Sequence, residues 1–286
     1  MRIGLSLPLQ YVLGLDAPSD SACFTRFLGE PDAALPELRK IGVDSIELQG
    51  VGPGSFDLPL LTAMRRIANA GMEVTFHSYL PPATQCDAPS IAATPPLPES
   101  IRFLQSRDAR PIMVVHAHAD SHATPNALAR SSIQGLEALI GGFHRHDIPI
   151  RVALEINRYH GVDGPGVTYG GLLDIVEPFA DDDVGLCWDM GHTQSSVLQE
   201  RLPPVPPPEF VARVIHSHVH DLSADGDTHW PLAEDCSHLR SGIDLLEAKG
   251  YTGIFNLELY PRRWPTTYVV KDEINRSVVR LRRMRG

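Results

Sequence analysis

Eight short runs of strand-forming residues, separated along the whole chain by amphipathic stretches, constrain the fold more than any other feature. They fall at 3–8 (IGLSLP), 45–49 (SIELQ), 73–77 (EVTFH), 111–116 (PIMVVH), 151–155 (RVALE), 184–189 (VGLCWD), 214–218 (VIHSH) and 254–258 (IFNLE). Such alternation is the signature of βα units feeding a parallel sheet. Eight strands close a (β/α)8 barrel, an architecture that needs about 250 residues. The 286 residues therefore read as one α/β domain spanning 1–286. Between the runs, apolar residues recur at helical spacing, as in Leu58, Leu61, Met64, Ile67 and Ala68, with Gly71 as a stop. The same punctuation recurs at Gly42 and Gly250. Two Pro-rich stretches, 81–98 and 203–208, read as loops. The first follows the third strand, where it would serve as a lid or a rigid connector.

Composition narrows the function classes. With 43% hydrophobic and 21% charged residues the chain reads as a soluble globular protein. No run approaches the roughly 20 apolar residues of a spanning helix. The start, MRIGLSLPLQ, reads as a strand rather than a secretion signal, so a cytoplasmic location is expected. Cys23, Cys86, Cys187 and Cys236 show no CxxC spacing, which argues against a disulfide framework and a thiolate zinc site. A formal charge of -10 provides no broad basic footprint for nucleic acid. The three lysines, Lys40, Lys249 and Lys271, avoid strand ends, which disfavours Schiff-base chemistry.

Acids and histidines mark the ends of the runs. Glu47 lies in the second, His77 ends the third, and His116 the fourth with His118 beyond it. Glu155 ends the fifth, Asp189 the sixth with His192 three residues later, and Glu258 the eighth. The seventh carries His216 and His218, followed by His220 and Asp221. In a parallel barrel these ends converge on one mouth. Any one of them could instead point outward or pair with a neighbour, but all together are expected to share a pocket. Carboxylates crowded without matching Arg or Lys raise one another's pKa, and a divalent cation removes that cost. Three carboxylates and one imidazole suit Mn2+, Mg2+ or Co2+, while further histidines shift the preference toward Zn2+.

These segments resemble the xylose isomerase-like barrel superfamily, which includes sugar epimerases, keto-sugar isomerases and the apurinic endonuclease IV family. GVDSIEL (42–48), VALEINRY (152–159), VGLCWDMGH (184–192), HVHDL (218–222) and GYTGIFNLEL (250–259) are similar to its second, fifth, sixth, seventh and eighth strand segments. The resemblance implies a metal held by Glu155, Asp189, His218 and Glu258. It implies Glu155 and Glu258 as the acid–base pair of an isomerase or epimerase acting on a sugar, keto-sugar or related polyhydroxy substrate. The proton would move through a metal-stabilised enediolate. His192 would contact substrate, and Arg158 with His160 are further candidates. Trp188, Trp230 and Tyr79 are candidate apolar walls, with core packing the expected place of Trp188.

A second reading stays open. Positions resembling the ligands of a trinuclear zinc phosphodiesterase acting on abasic DNA are filled by the four residues above with His77, His116, His192, Asp227 and His229. Up to three Zn2+ would then be bound. Against it, the loop after His77 reads HSYLPPATQ, the segment after His229 reads WPLAEDCS, and basic residues are sparse where phosphates would be clamped. A non-catalytic ligand-binding barrel is the third reading, disfavoured because such a pocket has no use for uncompensated acids. The expected partner is a small sugar-like molecule, with no membrane and with nucleic acid disfavoured but still open, and a homo-oligomer is compatible with the sequence.

Overall fold

The computed structural model describes residues 1–15, 20–53, 55–81, 96–107 and 110–284, with only the backbone for residues 20–23. The strands are β1 (Arg2–Pro8), β2 (Ser45–Gln49), β3 (Glu73–His77), β4 (Ile112–His116), β5 (Arg151–Glu155), β6 (Val184–Asp189), β7 (Val214–Val219) and β8 (Ile254–Leu257). They pair in parallel in chain order and close on themselves, so the molecule is the expected single (β/α)8 barrel.

The strand alternation sorts two environments. Outward residues such as Ile3, Leu5, Ile46, Leu48, Val152 and Leu154 pack under the helices in one continuous apolar layer. Inward residues build a separate core. Val114, Ala153 and Cys187 form its small apolar part, and Ser6, Glu47, His216 and Asn256 fill the rest, all buried. Most of these polar groups satisfy one another, His216 Nδ1 and Asn256 Oδ1 being the exceptions. Ser6 Oγ donates to Glu47 Oε1 at 2.9 Å, and Asn256 Nδ2 donates to Ser6 Oγ at 2.7 Å and to Glu47 Oε1 at 3.1 Å. A polar barrel interior is stable only when its members are paired in this way.

Register then sets which strand ends meet. His77 lies opposite Gln49, Glu155 opposite His116, and His218 opposite Asp189. The last pairing depends on an irregularity. Leu186 faces Val214 but Cys187 faces His216, so β7 carries one extra residue there. An unbroken ladder would set Ser217 against Asp189 and turn His218 to the other face.

Helix boundaries follow local chemistry. Gly42, Gly71 and Gly250 all have positive φ, 99°, 77° and 76°, the left-handed conformation that ends a helix. Asp57 caps the helix Leu58–Asn69 by accepting from the Leu60 amide at 3.0 Å. The apolar face of that helix differs in part from the expected one, with Ala68 only half-buried. Leu60, Leu61, Met64 and Ile67 are buried, whereas Leu58, in the first turn, is 63% exposed. The Pro-rich stretches also differ in part. Pro98 and Pro208 begin the helices Pro98–Gln105 and Pro208–Ala212, where the missing N–H has no partner to lose. Residues 82–95 of the first stretch, with Cys86, lie outside the described residues, as does the Cys23 side chain. Cys187 and Cys236 are buried thiols. Among the described residues no helix is long and apolar enough to cross a membrane.

Candidate active site

At the C-terminal mouth the strand ends deliver their side chains into one buried cluster. Glu155, Asp189 and His218 are 0% exposed and Glu258 2%. One ligand atom from each of the four lies within 4.8 Å of the others. His218 Nδ1 stands 3.2 Å from Glu258 Oε2, 3.4 Å from Glu155 Oε1 and 3.8 Å from Asp189 Oδ2. Glu155 Oε1, His218 Nδ1 and Glu258 Oε2 are buried without a hydrogen-bond partner. Leaving such atoms unmatched costs about 1–3 kcal/mol each, more for charged groups. Hard carboxylate oxygens and one imidazole nitrogen, unpartnered and converging on a point, are a donor set that fits a divalent cation.

The shell around them fixes their orientation. Glu47 Oε2 lies 3.0 Å from both His216 Nε2 and His218 Nε2. Burial would raise the Glu47 carboxyl, but the His218 charge and the hydrogen bonds from the histidines hold it well below the carboxylate range. An ionised carboxylate only accepts, so each Nε2 carries a proton and donates it. When His218 is neutral, as a metal ligand must be, this places its lone pair on Nδ1, toward the cluster. Gln49 Nε2 donates to Glu258 Oε1 at 2.9 Å, which leaves Oε2 facing inward. Asp189 caps the helix Met190–Leu198, accepting from the His192 amide at 2.6 Å. His220 Nε2 donates to Asp189 Oδ1 at 3.1 Å, while its Nδ1 accepts from the His229 amide at 2.9 Å. The His220 ring fits only because residue 191 is glycine, where a Cβ would lie 2.0 Å from the imidazole.

Two further groups flank the cluster. His77, His116 and Glu155 form one. His116 Nε2 lies 2.9 Å from Glu155 Oε2 and 3.2 Å from His77 Nε2. Burial opposes the charge on His77, yet the surrounding Glu47, Glu155 and Glu258 raise it to about 9. His116 and His218 offset burial at Glu155, which sits well below the ordinary range. His192, His220 and His229 form the other group. Burial likewise opposes His192, but Asp189 and Glu155 raise it to about 9. Burial and then the neighbouring His220 and His192 push His229 down. The proton between them therefore belongs to His192, whose Nε2 lies 3.4 Å from His229 Nε2. His229 adopts φ 66°, a left-handed conformation unusual for a non-glycine residue and frequent at functional sites.

A cavity of about 320 Å3 opens onto these residues, walled by His77, His116, Glu155, His192, His229 and Glu258, with Gln49, Tyr79 and Tyr260 at its sides. Of the acids and imidazoles expected to share a pocket, His118 turns to Ser131 and Asp221 to the Ala233 amide and Cys236, while His77, His116, Glu155, Asp189, His192, His218, His220, His229 and Glu258 meet here. Asp227 does not. It is 53% exposed in the turn after β7 and faces Arg158 at 3.7 Å, and His220 stands beside His192 and His229 instead. Arg158 turns to Asp227, Thr228 and His160 and is not part of the cavity wall. Trp188 is buried against Phe210 in the helix layer, as its apolar environment requires. Trp230 packs on Tyr268. Gln49 and Tyr260 were not singled out from sequence. Gln49 ends a strand run, a signal that could have found it, whereas Tyr260 lies two residues beyond Glu258 with nothing local to mark it.

A family model described as xylose isomerase-like TIM barrel matches residues 35–278. An uncharacterized protein of Methanocaldococcus jannaschii is 28% identical over 120 residues. That match spans 39% of this chain and 38% of the relative's own length. Among solved structures, an L-ribulose 3-epimerase superposes with a TM-score of 0.62 at 17% identity, over 99% of this chain and 95% of that one. A D-psicose 3-epimerase from Clostridium cellulolyticum H10, determined with D-tagatose, gives 0.62 at 12% identity, over 100% and 98%. At these identities the likeness is one of fold.

Proposed function

The chain belongs to the xylose isomerase-like TIM barrel family, and from that premise we propose that it is a divalent-metal-dependent isomerase or epimerase of a sugar or keto-sugar. The observation that carries this reading is the buried convergence of Glu155, Asp189, His218 and Glu258 with three of their polar atoms unpartnered. These four would hold the metal, with Mn2+, Mg2+ or Co2+ favoured by the oxygen-rich set. A cation there would neutralise the crowded carboxylates and, as a Lewis acid, polarise a sugar carbonyl so that the adjacent C–H becomes acidic.

The remaining steps belong to the protein. Glu155 and Glu258 reach the cluster from β5 and from the end of β8, so they flank a substrate seated between them. One takes the proton from carbon and the other returns a proton to that carbon or its neighbour. Gln49 holds Glu258 through Oε1 and keeps its second oxygen available. His192 and His229 line the cavity with polar ring nitrogens suited to sugar hydroxyls, and the Tyr260 and Tyr79 rings supply the apolar faces. A cavity of about 320 Å3 matches a monosaccharide and lies at the small end of ligand sites. Turnover of a panel of ketoses and keto-sugars, followed by deuterium incorporation from solvent at the carbon beside the carbonyl, tests the reading. Metal-dependent exchange is the expected result. No exchange with any of them would count against it.

The flanking groups around His77 and His192 favour a second reading, an endonuclease IV-like phosphodiesterase with three zinc ions. Metal counting on purified protein, run with an abasic-site nicking assay, separates the two. One metal per chain without nicking supports the isomerase, and three zincs with nicking supports the nuclease.

A further inference from the structure

A second, larger cavity of about 720 Å3 opens at the opposite mouth of the barrel, where Arg2, Glu73, Ile112, Arg151, Val214 and Ile254 lie at or near the starts of their strands. Its charge is the reverse of the candidate active site. Arg2, Arg107, Arg110, Arg151 and Lys249 line it against Glu73 and Asp182, in a chain whose acids outnumber its Lys and Arg by 35 to 25. We propose that this cavity is an anion site for phosphate or a phosphate monoester, gripped by Arg107, Arg151 and Lys249.

Several of the basic groups are already matched. Arg2 forms a two-pronged pair with Glu73, its nitrogen 3.0 and 2.9 Å from the carboxylate oxygens. Arg110 lies 3.5 Å from Asp183 and donates to the Asp182 and Ile150 carbonyls. Outside the lining, Asp181 is taken by Arg213. Arg107, Arg151 and Lys249 have no carboxylate within ion-pair distance among the described residues. Arg107 rests over the Phe103 ring, which leaves its N–H edge available. Arg151 donates one nitrogen to the Asp181 carbonyl, and its Nε is buried with no partner. On the same wall Thr75, 3% exposed, keeps a buried hydroxyl that also lacks a partner.

The physical argument mirrors that for the acids at the other mouth. Cations crowded in a partly desolvated cavity repel, and burial followed by the nearby Arg110 holds the Arg151 guanidinium below its ordinary value despite Asp181, Asp182 and Asp183. An oxyanion with several acceptor oxygens would meet the unmatched Arg151 N–H and the Thr75 hydroxyl together. The volume exceeds what inorganic phosphate fills and lies in the range of small-molecule sites, so a phosphorylated metabolite can be accommodated. Part of the cation cluster has another use. Arg107 and Lys249 follow the C-terminal turns of the helices Pro98–Gln105 and Ser237–Ala248, ends that favour positive charge. Arg151 on β5 has no such role.

Thermal melts of the full chain with inorganic phosphate, against chloride at equal ionic strength, test the site. The expected result is a saturable rise in melting temperature with phosphate alone. Apparent affinity should weaken about tenfold in Arg151→Gln, as loss of a charged hydrogen bond implies. The double variant R107Q/K249Q, which leaves the strands untouched, covers the case in which the strand variant fails to fold. Glu258→Gln, at the far mouth, should keep the full response, which separates this site from phosphate binding to a metal there. Glycerol 3-phosphate binding more tightly than inorganic phosphate assigns the site to an organic ester, and equal binding assigns it to free phosphate. The proposal is overturned if phosphate gives no rise beyond chloride. It is equally overturned if the cavity variants melt lower but respond to phosphate unchanged, since that marks the cations as helix-end stabilisers only.

Discussion

A carboxylate buried between two imidazoles decides which of their nitrogens carries a proton. Glu47 does this for His216 and His218, each 3.0 Å away. Glu47→Gln is expected to lower divalent-metal affinity about 10–100-fold, the usual effect of losing an outer partner of a ligating histidine. Competition against a chromophoric chelator measures it, and unchanged affinity would remove Glu47 from this role. Glu155→Gln and Glu258→Gln should each lower kcat about 10^2–10^4-fold with the circular-dichroism spectrum unchanged. Near-wild-type turnover in both would end the acid–base assignment. The sequence marked Glu47, Glu155 and Glu258 alike as strand-run acids. Their different surroundings were not legible there, because the groups that distinguish them lie far along the chain, such as His218 for Glu47. Asp227 shows the converse. Its spacing from His229 suited a metal, but the turn that carries it directs its carboxylate to Arg158.

Among the elements, the segment from Asp189 into the helix Met190–Leu198 ties the site to packing. Gly191→Ala places a methyl group against the buried His220 ring. Overpacking of this kind costs about 1–3 kcal/mol, and it would also push His220 from Asp189. A lower melting temperature and a lower kcat together are the expected outcome. A variant as stable and active as the parent would show that the ring moves aside freely. Strand positions were readable to within about one residue because alternation and bounding Gly or Pro are local signals. The extra residue in β7 was not, since a register shift exists only between two strands. The helix Leu58–Asn69 likewise kept its period while Leu58 turned outward, because the first turn of a helix projects past the sheet it covers.

For the whole molecule, the barrel separates an acidic and imidazole-rich mouth from a cationic one. Stripping divalent metal should abolish turnover and leave the barrel folded, because the apolar layer under the helices does not involve the site. Adding the metal back at a hundredfold excess over its dissociation constant should stabilise the fold by about 2.7 kcal/mol, read as a rise in melting temperature. Unfolding on removal would instead make the metal structural. By itself the sequence determined the class, the number of strands and the identity of the acids and imidazoles at their ends, because hydrophobic period and strand termination are written in neighbouring residues. Only the tertiary structure decided that Gln49 joins the site, that Asp227 stays outside it, and that five basic residues share one cavity. Closure of the barrel brings together residues far apart in the chain, and which side chains then meet depends on register and burial rather than on spacing.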